Sequence, residues 1–429
     1  MPAHLPTSPL DTSRASLLKI WIVQCAKLFH YWSYPRARAA TAAEEMTFTD
    51  GLYWLYKSAR PIIKPERRHC APLLRDRSIV KLPNTFEKNC SLTVSAAGDL
   101  IQADGIQSSK DILFERIGDI LFDVDISTAN YESPVTEQRL ADETIGGGRP
   151  LIMCCSPAQF LTLTAHKGKC FTALNTANNH IFDLGIRGLE TTQRLLGQNG
   201  TVAIGTPRRP EEYGRGKILT KGGIKVGFIS ATFGLNGHEP PASETYRVHV
   251  AKLMSKHAVT DLELLRKQIE DCKQQGCDFI IASIHWGYEF EFFPRHRQVE
   301  AARALVEQGV DLILGHHPHV IQPIEYYRTK RDPNRIAVIA YSLGSLTWGW
   351  YTAPHLVLSM ILKVNLSKGL MAGARRTYIE NIMPVPVFRA ISYEGGERLM
   401  RIEKLHDHLN RSLPRLKQMK NYVDLVLGT

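Results

Sequence analysis

The chain has 429 residues, 44% hydrophobic and 22% charged, an ordinary globular composition with room for one large α/β domain or two smaller ones. Its formal net charge of +11 is uneven: residues 1–90 hold 14 Lys and Arg against 7 Asp and Glu, a net of +7 that leaves +4 for the other 339 residues. The nearly balanced main body argues against bulk nucleic-acid binding, and no specific nucleic-acid partner is expected.

The first fifteen residues carry Pro, Asp and Ser where a secretory leader would show a basic patch and an apolar core, so no clear signal peptide is expected. Residues 16–34 form an apolar run interrupted by Lys19, Gln24, Lys27 and His30, which gather with Ser16 in one sector at helical spacing. This predicts an amphipathic helix that packs on the main domain, on a protein partner or on a membrane surface; a bilayer span would avoid those residues. A second apolar segment, Leu52 to Tyr56, ends before Pro61, and residues 61–83 read as a linker. The eight cysteines, at 25, 70, 90, 154, 155, 170, 272 and 277, include no CxxC pair and read as mostly reduced core residues. Together these features favour a cytoplasmic or peripheral-membrane location.

From Ser91 onward short apolar strands alternate with amphipathic helices, the pattern of an α/β fold. Strands are expected at 92–97, 124–128, 171–175, 225–230, 277–284, 310–314 and 336–340. Helices are expected at 111–122, 183–196, 261–275 and 297–308, the last ending at Gly309. Three domains of organisation follow: a basic helical extension and linker over 1–90, the main domain over 91–380, and a C-terminal extension over 381–429 that packs on it.

Several of these strands run directly into residues that bind metals. The apolar run Val310 to Leu314 leads into Gly315-His316-His317-Pro318-His319, Ile280 to Ile284 into His285, and Phe171 to Asn175 into Asn179-His180. The first two strands end at Asp99 and, past Asn130, at Glu132, where Pro134 prevents a central strand from continuing. Open α/β sheets place their ligands at the carboxyl ends of strands. A mixture of carboxylate, amide oxygen and imidazole suits Mn, Fe or Zn better than Mg or Ca. Arg187, Arg295, His296 and His166 have no such setting and read as solvated or structural.

In chain order, Gly98-Asp99, Asn130-Tyr131-Glu132-Ser133-Pro134, Ala177-Asn178-Asn179-His180, His285-Trp286-Gly287 with Glu289, Gly315 to Val320, and Tyr341-Ser342-Leu343-Gly344 make a specific combination. Over roughly residues 91–352 the chain resembles the CapA family of capsule (poly-γ-glutamate) synthesis proteins, whose domain is similar to the calcineurin-like metallophosphatases. The resemblance implies a four-layer α/β/β/α sandwich with a metal site at one edge of two packed sheets. It also implies Asp99, Glu132, Asn179, His180, His285, His317 and His319 as ligands of one or two divalent ions. One departure stands out: Ile101 occupies the place where metallophosphatases carry a histidine two residues after the first aspartate.

Two functions follow from the resemblance. One is a metal-dependent hydrolase-like site acting on a phosphoester or an amide, with His180 or His316 as the proton donor, in a protein that handles an anionic polymer such as poly-γ-glutamate. The other is a non-catalytic polymer-binding or scaffold protein in which the metal site is vestigial.

Overall fold

The computed structural model describes residues 17–66, 80–137 and 152–428. Ser16 and residues 67–79 of the expected linker lie outside the described residues. Two sheets face each other. The larger has eight strands, in the spatial order Glu397–Lys404, Ala374–Glu394, Leu358–Met371, Glu87–Leu100, Ile126–Tyr131, Ala173–Asn175 and Val202–Ile204, with Ser345–Thr347 paired beside Glu87–Leu100. The smaller has six, in the order Ile324–Arg328, Ile336–Ala340, Leu312–His316, Phe279–His285, Ile224–Thr232 and Lys217–Lys221.

Period-two alternation builds the layers. In Phe279–His285, Phe279 and Ile281 enter the core between the sheets, where they join Leu92, Val94, Leu314, Val338 and Leu362. Ile280, Ala282 and Ile284 point the other way, into a cluster with Leu265 and Ile269 of the helix Glu263–Gln274 and with Val299, Ala302 and Leu305 of the helix His296–Gln308. On the outer face of the larger sheet, Ala97, Ala129 and Leu174 pack with Phe114, Phe160, Leu163 and Leu196. The result is the expected four-layer α/β/β/α sandwich. Within it, Glu87–Leu100, Ile126–Tyr131 and Ala173–Asn175 run parallel, as do Ile224–Thr232, Phe279–His285, Leu312–His316 and Ile336–Ala340, so the carboxyl ends of each set lie together. Two glycines let these ends come close: a Cβ at Gly98 would lie 1.8 Å from the Gly344 carbonyl oxygen, and one at Gly315 would lie 1.9 Å from that of Tyr341.

The structure differs from the sequence expectations at two places. Of the helix expected over 111–122 only the short piece Gly118–Leu121 forms, after a 3-10 turn at Ile106–Ser109. Asp111 between them has φ 60°, which a right-handed helix cannot accept, and its carboxylate is tied to the Lys167 backbone N–H at 2.7 Å. The boundary expected between 380 and 381 falls inside the strand Ala374–Glu394, and the helix Pro414–Leu427 sends Leu416, Met419 and Val426 into the core between the sheets. Of the placements left open for the basic N-terminal region, its described part takes packing against the main body. In the helix Phe48–Ala59, Leu52, Tyr53, Leu55 and Tyr56 join the cluster outside the six-stranded sheet. The preceding helix, Leu17–Leu28, buries Val23 there and exposes Trp21 and Leu28, with Phe29 and Tyr31 exposed just beyond it.

Buried charge fastens the helix Phe48–Ala59. The Lys57 ammonium lies 3.1 Å from Glu291 Oε1, the Arg295 guanidinium grips both carboxylate oxygens at 2.9 and 3.0 Å, and the Tyr53 hydroxyl donates to Oε1 at 3.1 Å. Burial alone would raise the Glu291 carboxyl, but Arg295 and Lys57 hold it below the usual carboxylate range. Replacing Glu291 by Gln leaves two buried cations facing each other. The expected cost is ~3–5 kcal/mol of unfolding free energy, read from denaturant titration; a loss no greater than that of a surface substitution would contradict this account.

Two buried histidines make stability depend on pH. His355 donates from Nε2 to the Ser58 carbonyl at 2.9 Å, and His249 Nε2 accepts from the Gly214 N–H at 3.1 Å. Burial lowers each to about 4. An unfolded histidine titrates near ~6.5, so below that pH the unfolded chain takes up protons that the folded one refuses. Their contribution is complete above ~6.5 and lost as pH falls toward 4, so the thermal midpoint drops across that window and the drop is shallower in His355→Gln. A midpoint constant between the two pH values would contradict the assignment.

Candidate metal centre

The strand ends deliver their polar side chains to one buried point. Asp99 closes Glu87–Leu100, Asn130 and Glu132 come from the end of Ile126–Tyr131, and Asn179 and His180 follow Ala173–Asn175. From the other sheet, His285 closes Phe279–His285, and His316 closes Leu312–His316, opposite His285 in register. His317 and His319 follow in a turn with φ values of 94° and 56°, a left-handed backbone that is strained for residues with a Cβ and is characteristic of functional sites. None of these residues is more than 6% exposed.

Asn130 sits at the middle. Its amide lies 2.9 Å from Asp99 Oδ1, 3.2 Å from Glu132 Oε2 and 3.3 Å from His285 Nδ1. Asp99 Oδ2 is 3.1 Å from His319 Nδ1. His285 Nε2 lies 2.8 Å from Asn179 Oδ1 and 3.5 Å from Glu132 Oε1. Two groups of three place their ligand atoms within 4.8 Å of one another: Asp99, Glu132 and His285, and Glu132, His317 and His319. Glu132 belongs to both.

The electrostatics fit a cation. Burial alone would raise the Asp99 carboxyl, but hydrogen bonds with His316 and His319 hold it well below the usual range. Glu132 lacks such help, and burial together with the Asp99 charge pushes it well above that range. Burial drives His285 and His317 well below the ordinary histidine value, so both are neutral and able to donate a lone pair at neutral pH. Glu132 Oε1 and His317 Nδ1 are buried without a hydrogen-bond partner among the described residues. Orphaned buried acceptors cost ~1–3 kcal/mol each, and a divalent ion would satisfy both. The donor set of carboxylate, amide and imidazole suits Mn, Fe or Zn.

Two of the expected site residues stand slightly apart. His180 Nδ1 pairs with Asp183 Oδ2 at 2.7 Å, and Asn236 bridges it to Asn179. His316 is held between Asp99 Oδ1 at 3.3 Å from Nδ1 and the Ser283 hydroxyl at 3.0 Å from Nε2. Ile101, two residues after Asp99, is buried in the core between the sheets, and its N–H donates to the Thr347 hydroxyl at 2.9 Å. Four supporting groups have no sequence motif of their own: Asn236, Ser283, Ser345, whose hydroxyl is 3.0 Å from His319 Nδ1, and Thr41, whose hydroxyl is 3.0 Å from His317 Nε2. Trp348 packs its ring against His319, with centroids 4.4 Å apart.

Residues 93–348 match the family model described as bacterial capsule synthesis protein PGA_cap. The chain is similar to the capsule biosynthesis protein CapA of Bacillus anthracis, with 26% identity over 283 residues covering 62% of this chain and 63% of that protein. Its identity to the PGA biosynthesis protein CapA of Bacillus subtilis (strain 168) is 27% over 270 residues, covering 60% of this chain and 64% of that protein. The chain thus spans just under two thirds of the length of these relatives. Among solved structures, a calcineurin-like phosphoesterase of Bacillus subtilis aligns over 79% of this chain and 98% of its own at 14% identity, with a TM-score of 0.38, too loose a likeness to bear on the site. A match over residues 93–348, more than half of the chain and carrying all of the clustered strand-end residues, places this protein in the bacterial capsule synthesis PGA_cap family.

Proposed function

We propose that this protein acts in the handling of a poly-γ-glutamate-type capsule polymer through a divalent-metal site that hydrolyses an amide or a phosphoester. The observation that carries the reading is the buried pair Asp99 and Glu132, set among imidazoles with Glu132 Oε1 and His317 Nδ1 unpartnered. Asp99, Glu132, Asn179, His285, His317 and His319 would hold the ion or ions. When bound, such an ion supplies Lewis acidity and a more acidic bound water.

The chain's own residues provide the rest. His180 is the proton donor in this proposal, because Asp183 holds its Nδ1 and fixes its tautomer and direction, whereas His316 is engaged on both sides by Asp99 and Ser283. Asn130 keeps the two carboxylates apart and oriented. Burial by Phe233, Trp348 and the 39–42 segment excludes bulk water, which strengthens every charge interaction at the site. That same depth favours a second reading, in which the site is vestigial and the protein binds polymer or a partner without turnover.

Mass spectrometry of the purified protein is expected to find stoichiometric Mn, Fe or Zn, lost in Glu132→Gln and His317→Ala variants that retain a native circular dichroism spectrum. No bound metal, even after reconstitution, would overturn the hydrolase proposal. With metal bound, turnover of a chromogenic phosphodiester or shortening of poly-γ-glutamate is expected to fall about 10²–10⁴-fold in His180→Ala. Polymer binding with no cleavage by the metal-loaded protein would support the second reading instead.

The helix Leu17–Leu28 shorter than a bilayer span leaves Trp21, Leu28, Phe29 and Tyr31 facing solvent, which supports attachment of this end to a membrane surface or a partner. Among the described residues, no helix is long and apolar enough to cross a membrane.

A further inference from the structure

Thr41 lies in the N-terminal region, more than fifty residues before the first residue matched by the family model, yet its hydroxyl is 3.0 Å from His317 Nε2. The contact is not a loose surface encounter. Ala39, Ala40, Thr41 and Ala42 are all buried, and the segment is pinned on both sides. The Ala40 N–H donates to Asp50 Oδ1 at 3.1 Å, Lys256 Nζ lies 3.3 Å from Asp50 Oδ2, and Arg36 pairs with Asp50 Oδ1. The Tyr288 hydroxyl reaches the Ala39 carbonyl at 3.3 Å, and Arg295 donates to the Arg36 carbonyl at 2.9 Å.

His317 has two ring nitrogens, and this geometry gives them different work. Nε2 faces the Thr41 hydroxyl, while Nδ1 is buried with no partner. In a neutral imidazole one nitrogen carries the proton and the other a lone pair. If Nε2 carries it, the N–H donates to Thr41 and the Nδ1 lone pair is left for an ion. If Nδ1 carries it, a buried N–H has no acceptor and no ligand atom remains on that side. The Phe233 ring, 4.6 Å from the imidazole, and the His285 ring, 5.0 Å away, limit its rotation.

We propose that Thr41 is a positioning residue of the metal centre: by accepting a hydrogen bond from the Nε2–H it fixes His317 in the tautomer whose Nδ1 lone pair is left for the ion, so the N-terminal segment supports a site whose candidate ligands all lie within residues 99–319. This rests on the metal-centre reading above. Partners of this kind, one bond behind a ligand histidine, typically tune metal affinity about 10- to 100-fold.

The test compares full-length wild type, Thr41→Val and Thr41→Ser in Zn²⁺ affinity by chelator competition, together with ¹⁵N-histidine NMR of His317. The expected result is a Kd raised about 10- to 100-fold in Thr41→Val, with affinity restored in Thr41→Ser. The Nε2–H signature of His317 is expected in wild type and Thr41→Ser and lost in Thr41→Val. A merely structural role would lower the melting temperature without changing the tautomer. If wild type binds Zn²⁺ and Thr41→Val binds it equally well, or if His317 carries its proton on Nδ1 in metal-free wild type, this proposal is overturned while the metal centre stands. If wild type binds no Zn²⁺, both fail. Should Thr41→Val not fold, the wild-type NMR spectrum alone decides the tautomer.

Discussion

Two carboxylates, Asp99 and Glu132, lie fully buried at the point where the parallel strands of both sheets end, and such a pair needs positive charge beside it to stay ionised. Most of the surrounding architecture can be understood from that need. Asp99 has His316 and His319 within 3.3 Å, and Glu132 has only the Asn130 amide and the more distant His285. The unequal provision leaves Glu132, the residue common to both ligand groups, as the one most in want of a cation. Glycines at 98 and 315 allow the backbones to approach closely enough for the carboxylates and imidazoles to meet.

A second electrostatic cluster does a different task nearby. Glu291 binds Lys57 from the N-terminal helix and Arg295 from the start of the helix His296–Gln308, and the backbone of Ile62 pairs with Phe290 and Phe292. Glu291 lies six residues beyond His285, so the loop that follows a candidate ligand is the same loop that receives the N-terminal region. The extension and the site are therefore mechanically continuous, although the sequence between them spans more than two hundred residues.

How much of this is legible in the sequence depends on what carries the signal. Asp99, Glu132, Asn179, His285, His317 and His319 each close a short apolar strand and sit in a local motif, so their convergence can be inferred from the parallel topology alone. Thr41 and Asn236 in loops, and Ser283 inside a strand, have no such mark, since a lone hydroxyl or amide acquires its role only through a contact made in three dimensions. The long strands Leu358–Met371, Ala374–Glu394 and Glu397–Lys404 are also hard to read in advance. Their faces mix Lys, Arg, Asn and Pro with apolar residues, although the positive-φ glycines Gly373, Gly395 and Gly396 do mark the hairpin turns between them. The absent helix at 111–122 shows the reverse failure, in which an apolar periodicity is overruled by one left-handed aspartate.

The aromatic wall beside the site has an optical consequence. Trp348 packs on His319 and stacks on Trp350 at 3.8 Å, Trp350 meets Trp54 at 6.0 Å, and Trp286 is wholly buried one residue after His285. Trp348 thus touches a candidate ligand, and Trp350 and Trp54 continue from it as a chain of rings. An open-shell ion such as Mn²⁺ or Fe²⁺ held by His319 would quench the indole emission next to it, whereas closed-shell Zn²⁺ would not. The protein's own fluorescence would therefore tell an open-shell ion from Zn²⁺ bound at this site, without any added label.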